Sequence, residues 1–308
     1  MLCQSFPLVP LVFACFSVAW SFQKDTTKNP ITREMVANAE RLIGLNFTDV
    51  KRDSMLDGLK EQLDSYEKIR SVPLANSVPP AIFFNPIPLG MKIDPDKSGR
   101  KPFKVSNVEE VEVPGNLEDL AFYSVGQLAE LIRTRRITSE QLTRMFLDRL
   151  KKYGPKLECV ITLTESLAIQ QAKRADTEIA AGRYRGPLHG IPYGAKDLLA
   201  AKGIRTTWGS VPYKDQMIDE DATVIKRLDE AGAILVAKLT LGELAWGDVW
   251  YGGMTRNPWN LKQGSSGSSA GSAAATAAGL VAFAIGTETW GSIVSPSTRC
   301  GTTGLRPT

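Results

Sequence analysis

The sequence predicts an α/β domain, helices layered on a sheet, over residues 117–308, and three observations carry that reading. Short apolar runs of strand length (157–164, 191–197, 233–239 and 280–285) alternate with amphipathic stretches of helical length. Two of the runs end in charge, one at Lys196-Asp197 and one at Lys238. A Gly/Ser tract, 264–272, leads straight into an alanine run, 273–278, and then into the apolar segment 280–285. Alone, a Gly/Ser tract is usually a flexible linker. A linker has no reason to run into a helix former and a buried-strand candidate. Glycines beside serines at a loop-to-helix junction bring backbone N–H groups and hydroxyls close to a bound group, an architecture suited to a nucleophile.

The elements follow in order. Residues 1–21 read as a targeting segment: 7–20 is an apolar run too short to span a bilayer, and small residues at Ser17, Ala19 and Ser21 offer cleavage before Trp20 or Phe22. No Lys or Arg precedes that run, and a buried N-terminal helix is the alternative. Val12-Phe13-Ala14-Cys15 also resembles a lipid-attachment box, but the apolar run continues past Cys15. Export, to the periplasm or the exterior, is the expectation, with no stable membrane span. Residues 22–116 form an N-terminal extension. Helical spacing covers 31–45 and 54–69, and proline breaks periodicity from 72 to 102, as expected of extended chain packed over a surface. From Ser124 two capping boxes, Ser124-x-x-Gln127 and Thr138-x-x-Gln141, start helices over 125–135 and 139–150. Helices are also expected at 166–181 and 222–231, between the strands.

Composition narrows the function. With 308 residues, 43% hydrophobic and 23% charged, the chain has enough apolar surface for one large domain and an appendage. The net charge of +4 is spread without a basic block, which does not point to nucleic acid. Cys3 and Cys15 would leave with the targeting segment; Cys159 and Cys300 make no disulfide framework, and no CxxC pair suggests zinc. Neither a metal nor a cofactor is expected. Asn46-Phe47-Thr48 is a glycosylation sequon that matters only in an exported eukaryotic chain.

Two nucleophiles compete. Gly267-Ser268-Ser269-Ala270-Gly271 matches the Gly-x-Ser-x-Gly elbow with Ser269 as nucleophile, but that reading needs a histidine after it. The single histidine, His189, lies before it and is more often a turn or core residue. Without histidine, serine chemistry needs another base, and a lysine serves once burial holds it neutral. Lys196, at the end of an apolar strand, is placed for this; by position alone a lysine snorkelling to solvent is the favoured reading.

Several motifs, in order, decide between these. Gly190-Ile191-Pro192-x-x-x-Lys196-Asp197, Thr206-Thr207-x-Gly209-Ser210, Gly267-Ser268-Ser269-x-Gly271-Ser272-Ala273-Ala274-Ala275, Gly286-Thr287-Glu288-x-x-Gly291-Ser292-Ile293 and Cys300-Gly301-x-x-Gly304-Leu305-Arg306-Pro307-Thr308 together resemble the amidase signature family, over about 124–308. The resemblance implies a central mixed sheet surrounded by helices. It also implies a Ser–cis-Ser–Lys triad, with Ser292 as nucleophile, Ser268 as bridging serine and Lys196 as base. The N–H groups of Thr289, Trp290 and Gly291 would form the oxyanion hole, with Ser269 in support. The expected substrate is a small-molecule carboxylic amide.

The chain departs from the family pattern in three ways. Trp290 and Val294 stand where a glycine and an arginine are usual, and Glu288 replaces an aspartate. The sequence stops at Thr308, where members of the family continue, so the chain reads as a fragment with an incomplete sheet. Trp290 either narrows the acyl pocket or packs away against the extension. An A-type subunit of a glutamyl- or aspartyl-tRNA amidotransferase, a Ser269-based esterase and an inactive amidase-fold binding protein remain as alternatives.

Overall fold

The computed structural model describes residues 29–74, 78, 90, 91, 108 and 111–307. The expected targeting segment, 1–21, and most of the proline-rich stretch lie outside them. Among the described residues no helix is long and apolar enough to cross a membrane. Contacts divide the chain into two compact units, Met1–Leu89 and Gly90–Thr308.

Among the described residues the first unit shows a helical pair, α1 (Arg33–Ile43) and α2 (Asp49–Arg70). Thr32 caps α1, and Gly44 closes it in the left-handed region at φ 71°. Thr48 caps α2, so this helix starts ahead of the apolar spacing that predicts it from 54. The buried Glu40 carboxylate joins the two, accepting from Arg52 Nη2 at 2.7 Å and from the Phe47 N–H at 3.0 Å.

In the second unit both predicted capping boxes form, at the starts of α3 (Val125–Arg133) and α4 (Ser139–Leu157). The expected extension boundary at 116 lies later in the chain than the division at Leu89–Gly90. Val111 is buried among Leu128, Ile132 and Phe146, and its carbonyl accepts from Arg136 Nη1. Helix α4 runs seven residues past its expected end at 150 and carries Pro155 in its last turn. The apolar Leu150 and Leu157 bury on the same side of it and hold that turn in the core. Strand β1 (Val160–Leu163) is correspondingly shorter than the predicted run.

The helices α5 (Glu165–Ala180), α6 (Thr223–Glu230), α7 (Ala270–Ala277) and α8 (Val294–Cys300) alternate with β2 (Pro192–Lys196), β3 (Ile234–Leu239), two small antiparallel hairpins, β4 (Val249–Trp250) with β5 (Gly253–Met254) and β6 (Arg256–Asn257) with β7 (Asn260–Gly264), and β8 (Phe283–Ile285). The main sheet has the order β1-β3-β2-β8. Strands β2, β3 and β8 are parallel, and β1 runs antiparallel against β3, so the sheet is mixed. Strands β2 and β3 are buried along their whole length, as expected of parallel strands covered on both faces.

Register decides what faces what. Tyr193 and Ala195 of β2 pack with Leu235 of β3 and with Ile225 and Leu228 of α6 on one face. Ala237 and Leu239 of β3 pack on the other face against Ala274 and Ala275 of α7 and against α4 and α5. Lys196 pairs with Leu239 and so belongs to the α7 face; Lys238 pairs with Ala195 and belongs to the α6 face.

Candidate active site

Lys196 ends β2 without reaching solvent: its relative exposure is 0%. Its Nζ lies 2.7 Å from Ser268 Oγ, 2.8 Å from Thr287 Oγ1 and 3.3 Å from the Thr287 carbonyl. Burial lowers the ammonium pKa to about 8. The snorkelling alternative therefore fails, since the amine points inward onto a hydroxyl.

Ser268 follows a cis peptide at Gly267–Ser268 and is buried at the entry to α7. Gly267 is required by close approach, since a Cβ there would lie 1.7 Å from the Gly247 carbonyl oxygen. Ser269, the rival nucleophile, is occupied. Its hydroxyl donates to the Thr287 carbonyl at 3.1 Å and accepts from the Thr287 N–H at 3.2 Å. His189 does not serve it. That imidazole is buried with its Nδ1 accepting from the Arg185 N–H at 3.1 Å and its Nε2 3.3 Å from Glu178, and none of these partners belongs to the serine cluster. Burial, with Arg185 beside it, pushes the His189 pKa down, as for a neutral core histidine.

Ser292 sits between β8 and α8, with its carbonyl accepting from the Ser269 N–H at 3.0 Å. That bond ties the two loops together at the backbone. Among the described residues the Ser292 hydroxyl makes no hydrogen bond. The structure thus joins Lys196 to Ser268 through side chains and Ser292 to Ser269 through main chain. Of the N–H groups expected to face an oxyanion, that of Gly291 is directed at the Glu288 carboxylate. Those of Thr289 and Trp290 are unpaired among the described residues. Gly291 adopts φ 82°, which favours glycine, so the glycine retained next to Ser292 has a backbone reason.

Glu288 is almost enclosed, and its Oε2 accepts from the N–H groups of Ile293 at 2.8 Å and Val294 at 2.9 Å. Arg306 Nη1 lies 3.5 Å from the other oxygen. Burial alone would raise this carboxyl. The N–H groups of Val294, Ile293 and Gly291, with the Arg306 charge, outweigh burial and hold it below its ordinary range. Trp290 is 81% exposed, and its ring stacks on that of Trp246 at 6.1 Å between centroids.

A second buried lysine lies on β3, the strand paired with the one that ends at Lys196. Lys238 Nζ is 2.7 Å from Asp197 Oδ1 and donates to Thr206 Oγ1 at 3.1 Å, while Asp197 Oδ2 accepts from the N–H and hydroxyl of Thr207. Sequence reasoning singled out neither this pair nor Thr287. The Thr206-Thr207 motif was the available signal for the pair. Thr287 lay inside a quoted motif, but nothing in the spacing shows that its hydroxyl reaches Lys196. Among the described residues no group of three or more His, Cys, Asp or Glu side chains is placed to hold a metal ion.

Comparison with known proteins gives a consistent picture. A family model described as Amidase matches residues 141–308. The A-type subunit of the glutamyl-tRNA(Gln) amidotransferase of Coxiella burnetii is 44% identical over 188 residues, 60% of this chain and 39% of that protein. Among solved structures, the native peptide amidase from Stenotrophomonas maltophilia is 38% identical with a TM-score of 0.55, over 58% of this chain and 39% of that one. A fatty acid amide hydrolase is 26% identical with a TM-score of 0.55, over 58% of this chain and 32% of that one. The chain spans about two fifths of the length of the curated relatives it matches.

Proposed function

Because the chain belongs to the Amidase family, we propose that it hydrolyses a carboxylic amide through Lys196, Ser268 and Ser292. The observation that carries this reading is the 2.7 Å contact between a desolvated Lys196 amine and the Ser268 hydroxyl. A lysine with a pKa of about 8 is neutral in part near neutrality, and a neutral amine accepts a proton. Lys196 takes the Ser268 proton as Ser268 takes that of Ser292. The freed Ser292 Oγ bonds to the amide carbonyl carbon, and the carbonyl π pair moves to oxygen. The Thr289 and Trp290 N–H groups receive that oxyanion. The tetrahedral intermediate collapses, the C–N bond breaks, and the proton held by Lys196 returns through Ser268 to the departing amine. Water, deprotonated by the same relay, then releases the acyl group from Ser292 as a carboxylic acid.

A fluorophosphonate probe, followed by peptide mass spectrometry, tests this assignment. Label on Ser292 that disappears in Ser292→Ala supports it, as does loss of amide hydrolysis in the same variant. Label on Ser269, or hydrolysis that survives Ser292→Ala and not Ser269→Ala, overturns it.

A second reading, one component of an amidotransferase working on glutamyl-tRNA(Gln), is favoured by the 44% identity to the Coxiella protein. Export separates the two. The apolar run 7–20 motivates the proposal that the mature chain begins near Trp20 or Phe22 outside the cytosol. N-terminal sequencing from the native host decides: intact Met1 in the cytosolic fraction favours the tRNA reading.

A further inference from the structure

The loop that presents Ser292 has little to hold it in shape. From Glu288 to Ile293 the main chain makes few bonds of its own: the Ser292 carbonyl accepts from Ser269, and the carbonyls of Gly291 and Ile293 start α8. What organises the N–H side of the loop is a single side chain. Glu288 folds back over its own loop, and its carboxylate collects the N–H groups of Ile293 and Val294, with that of Gly291 directed at it as well. The peptide that follows Ser292 therefore turns its N–H to the Glu288 carboxylate and its carbonyl to the Ser269 N–H.

The charge makes the anchor specific. A carboxylate accepts without donating, so several N–H groups can converge on it, and such charge-assisted bonds are stronger than neutral ones. Arg306 lies beside the other oxygen of the carboxylate, 3.5 Å away. An amide in its place would offer one acceptor and turn two donors toward the Arg306 guanidinium or the N–H groups. The Glu288 side chain is itself nearly enclosed, while the Val294 N–H that it accepts from lies at the surface.

We infer that Glu288 is the positioning residue of the nucleophile loop: it draws in the peptide that follows Ser292 and the one after it, aims the Ser292 hydroxyl at the lysine–serine relay, and leaves the Thr289 and Trp290 N–H groups facing the reacting carbonyl. The inference rests on Ser292 being the nucleophile. Glu288 touches neither substrate nor the transferred proton; it acts through the loop.

The test uses the full chain and two readouts. The first is inactivation by a fluorophosphonate, resolved into a binding constant and a rate of covalent attack. In Glu288→Gln the attack rate is expected to fall about 100-fold, the size of loss produced by misplacing a reacting group by about 1 Å, with the binding constant unchanged. Glu288→Asp, which keeps the charge, is expected to recover at least about tenfold of that loss, and it carries the test if the Gln variant does not fold. The second readout is the amide proton shift of Ile293 and Val294, which a carboxylate acceptor moves downfield; Glu288→Gln moves both upfield. An attack rate within about threefold of wild type in Glu288→Gln overturns the inference, as does an Asp variant no better than Gln. If the wild-type chain takes no label on Ser292, the amide-hydrolase reading fails instead. The loop claim is then decided by the amide protons alone, and unchanged shifts in Glu288→Gln overturn it.

Discussion

Lys196 and Lys238 sit on neighbouring parallel strands, both fully enclosed, and are treated in opposite ways. Lys238, on the α6 face, meets a carboxylate at 2.7 Å. Lys196, on the α7 face, meets two hydroxyls and a carbonyl and no carboxylate. Burial lowers the pKa of both amines; at Lys238 Asp197 opposes part of that shift without reversing it, whereas nothing opposes burial at Lys196. A buried ion pair locks structure, while a buried lone amine among hydroxyls is a base. The difference follows from strand alternation. One residue of register puts the lysines on opposite faces, so that Asp197 neutralises one and leaves the other uncompensated.

The contrast can be broken from either side. Replacing Lys196 with Met should cost amide hydrolysis about 10³- to 10⁴-fold, measured as kcat/KM, with the fold intact, because a cavity-filling apolar side chain suits a buried site. Replacing Lys238 with Met should instead leave Asp197 buried without its cation and destabilise the fold by about 3–5 kcal/mol, read from denaturant unfolding. Adding Asp197→Asn should recover most of that loss, since the pair is then neutral. If Lys238→Met left stability unchanged, the two lysines would not differ in the way described.

A finer experiment makes Lys196 resemble Lys238. Thr287→Asp places a carboxylate beside the Lys196 amine and should raise its pKa by about 1–3 units. The sign is fixed: the neutral amine is the base, activity rises as pH climbs through about 8 in wild type, and the variant needs a higher pH for the same activity. At pH 8 the expected loss in kcat/KM is about 50-fold, relieved at higher pH. Thr287→Val removes only a hydroxyl partner and should cost about tenfold at most, the worth of about one hydrogen bond.

These predictions draw on features of uneven visibility in the sequence. Capping boxes at Ser124 and Thr138 and the continuous apolar runs of β2 and β3 are local signals, and they placed the starts of α3 and α4 and both strands to within a turn. The end of α4 was missed because Gly154-Pro155 reads as a breaker, while tertiary burial of Leu157 carries the helix through it. The hairpins β4–β7, two to five residues per strand, have no periodicity to read. In the site, Lys196 and Ser268 were legible as motif residues, and their side chains meet at 2.7 Å. The Lys238–Asp197 pair and the Glu288 contacts were not, because both depend on which way a side chain turns at a strand or loop end. Trp290 stacks on Trp246 at the surface, a contact that nothing in the sequence pattern shows.

The central claim, that Lys196 is an uncompensated buried amine, is tested most directly by titrating lysines labelled with ¹³C at Cε and assigning the Lys196 resonance by its loss in Lys196→Met. The account predicts a resonance that titrates near pH 8 and moves to higher pH in Thr287→Asp. A Lys196 resonance that stays in the ammonium position up to about pH 10, the ordinary range of a solvated lysine, would contradict it.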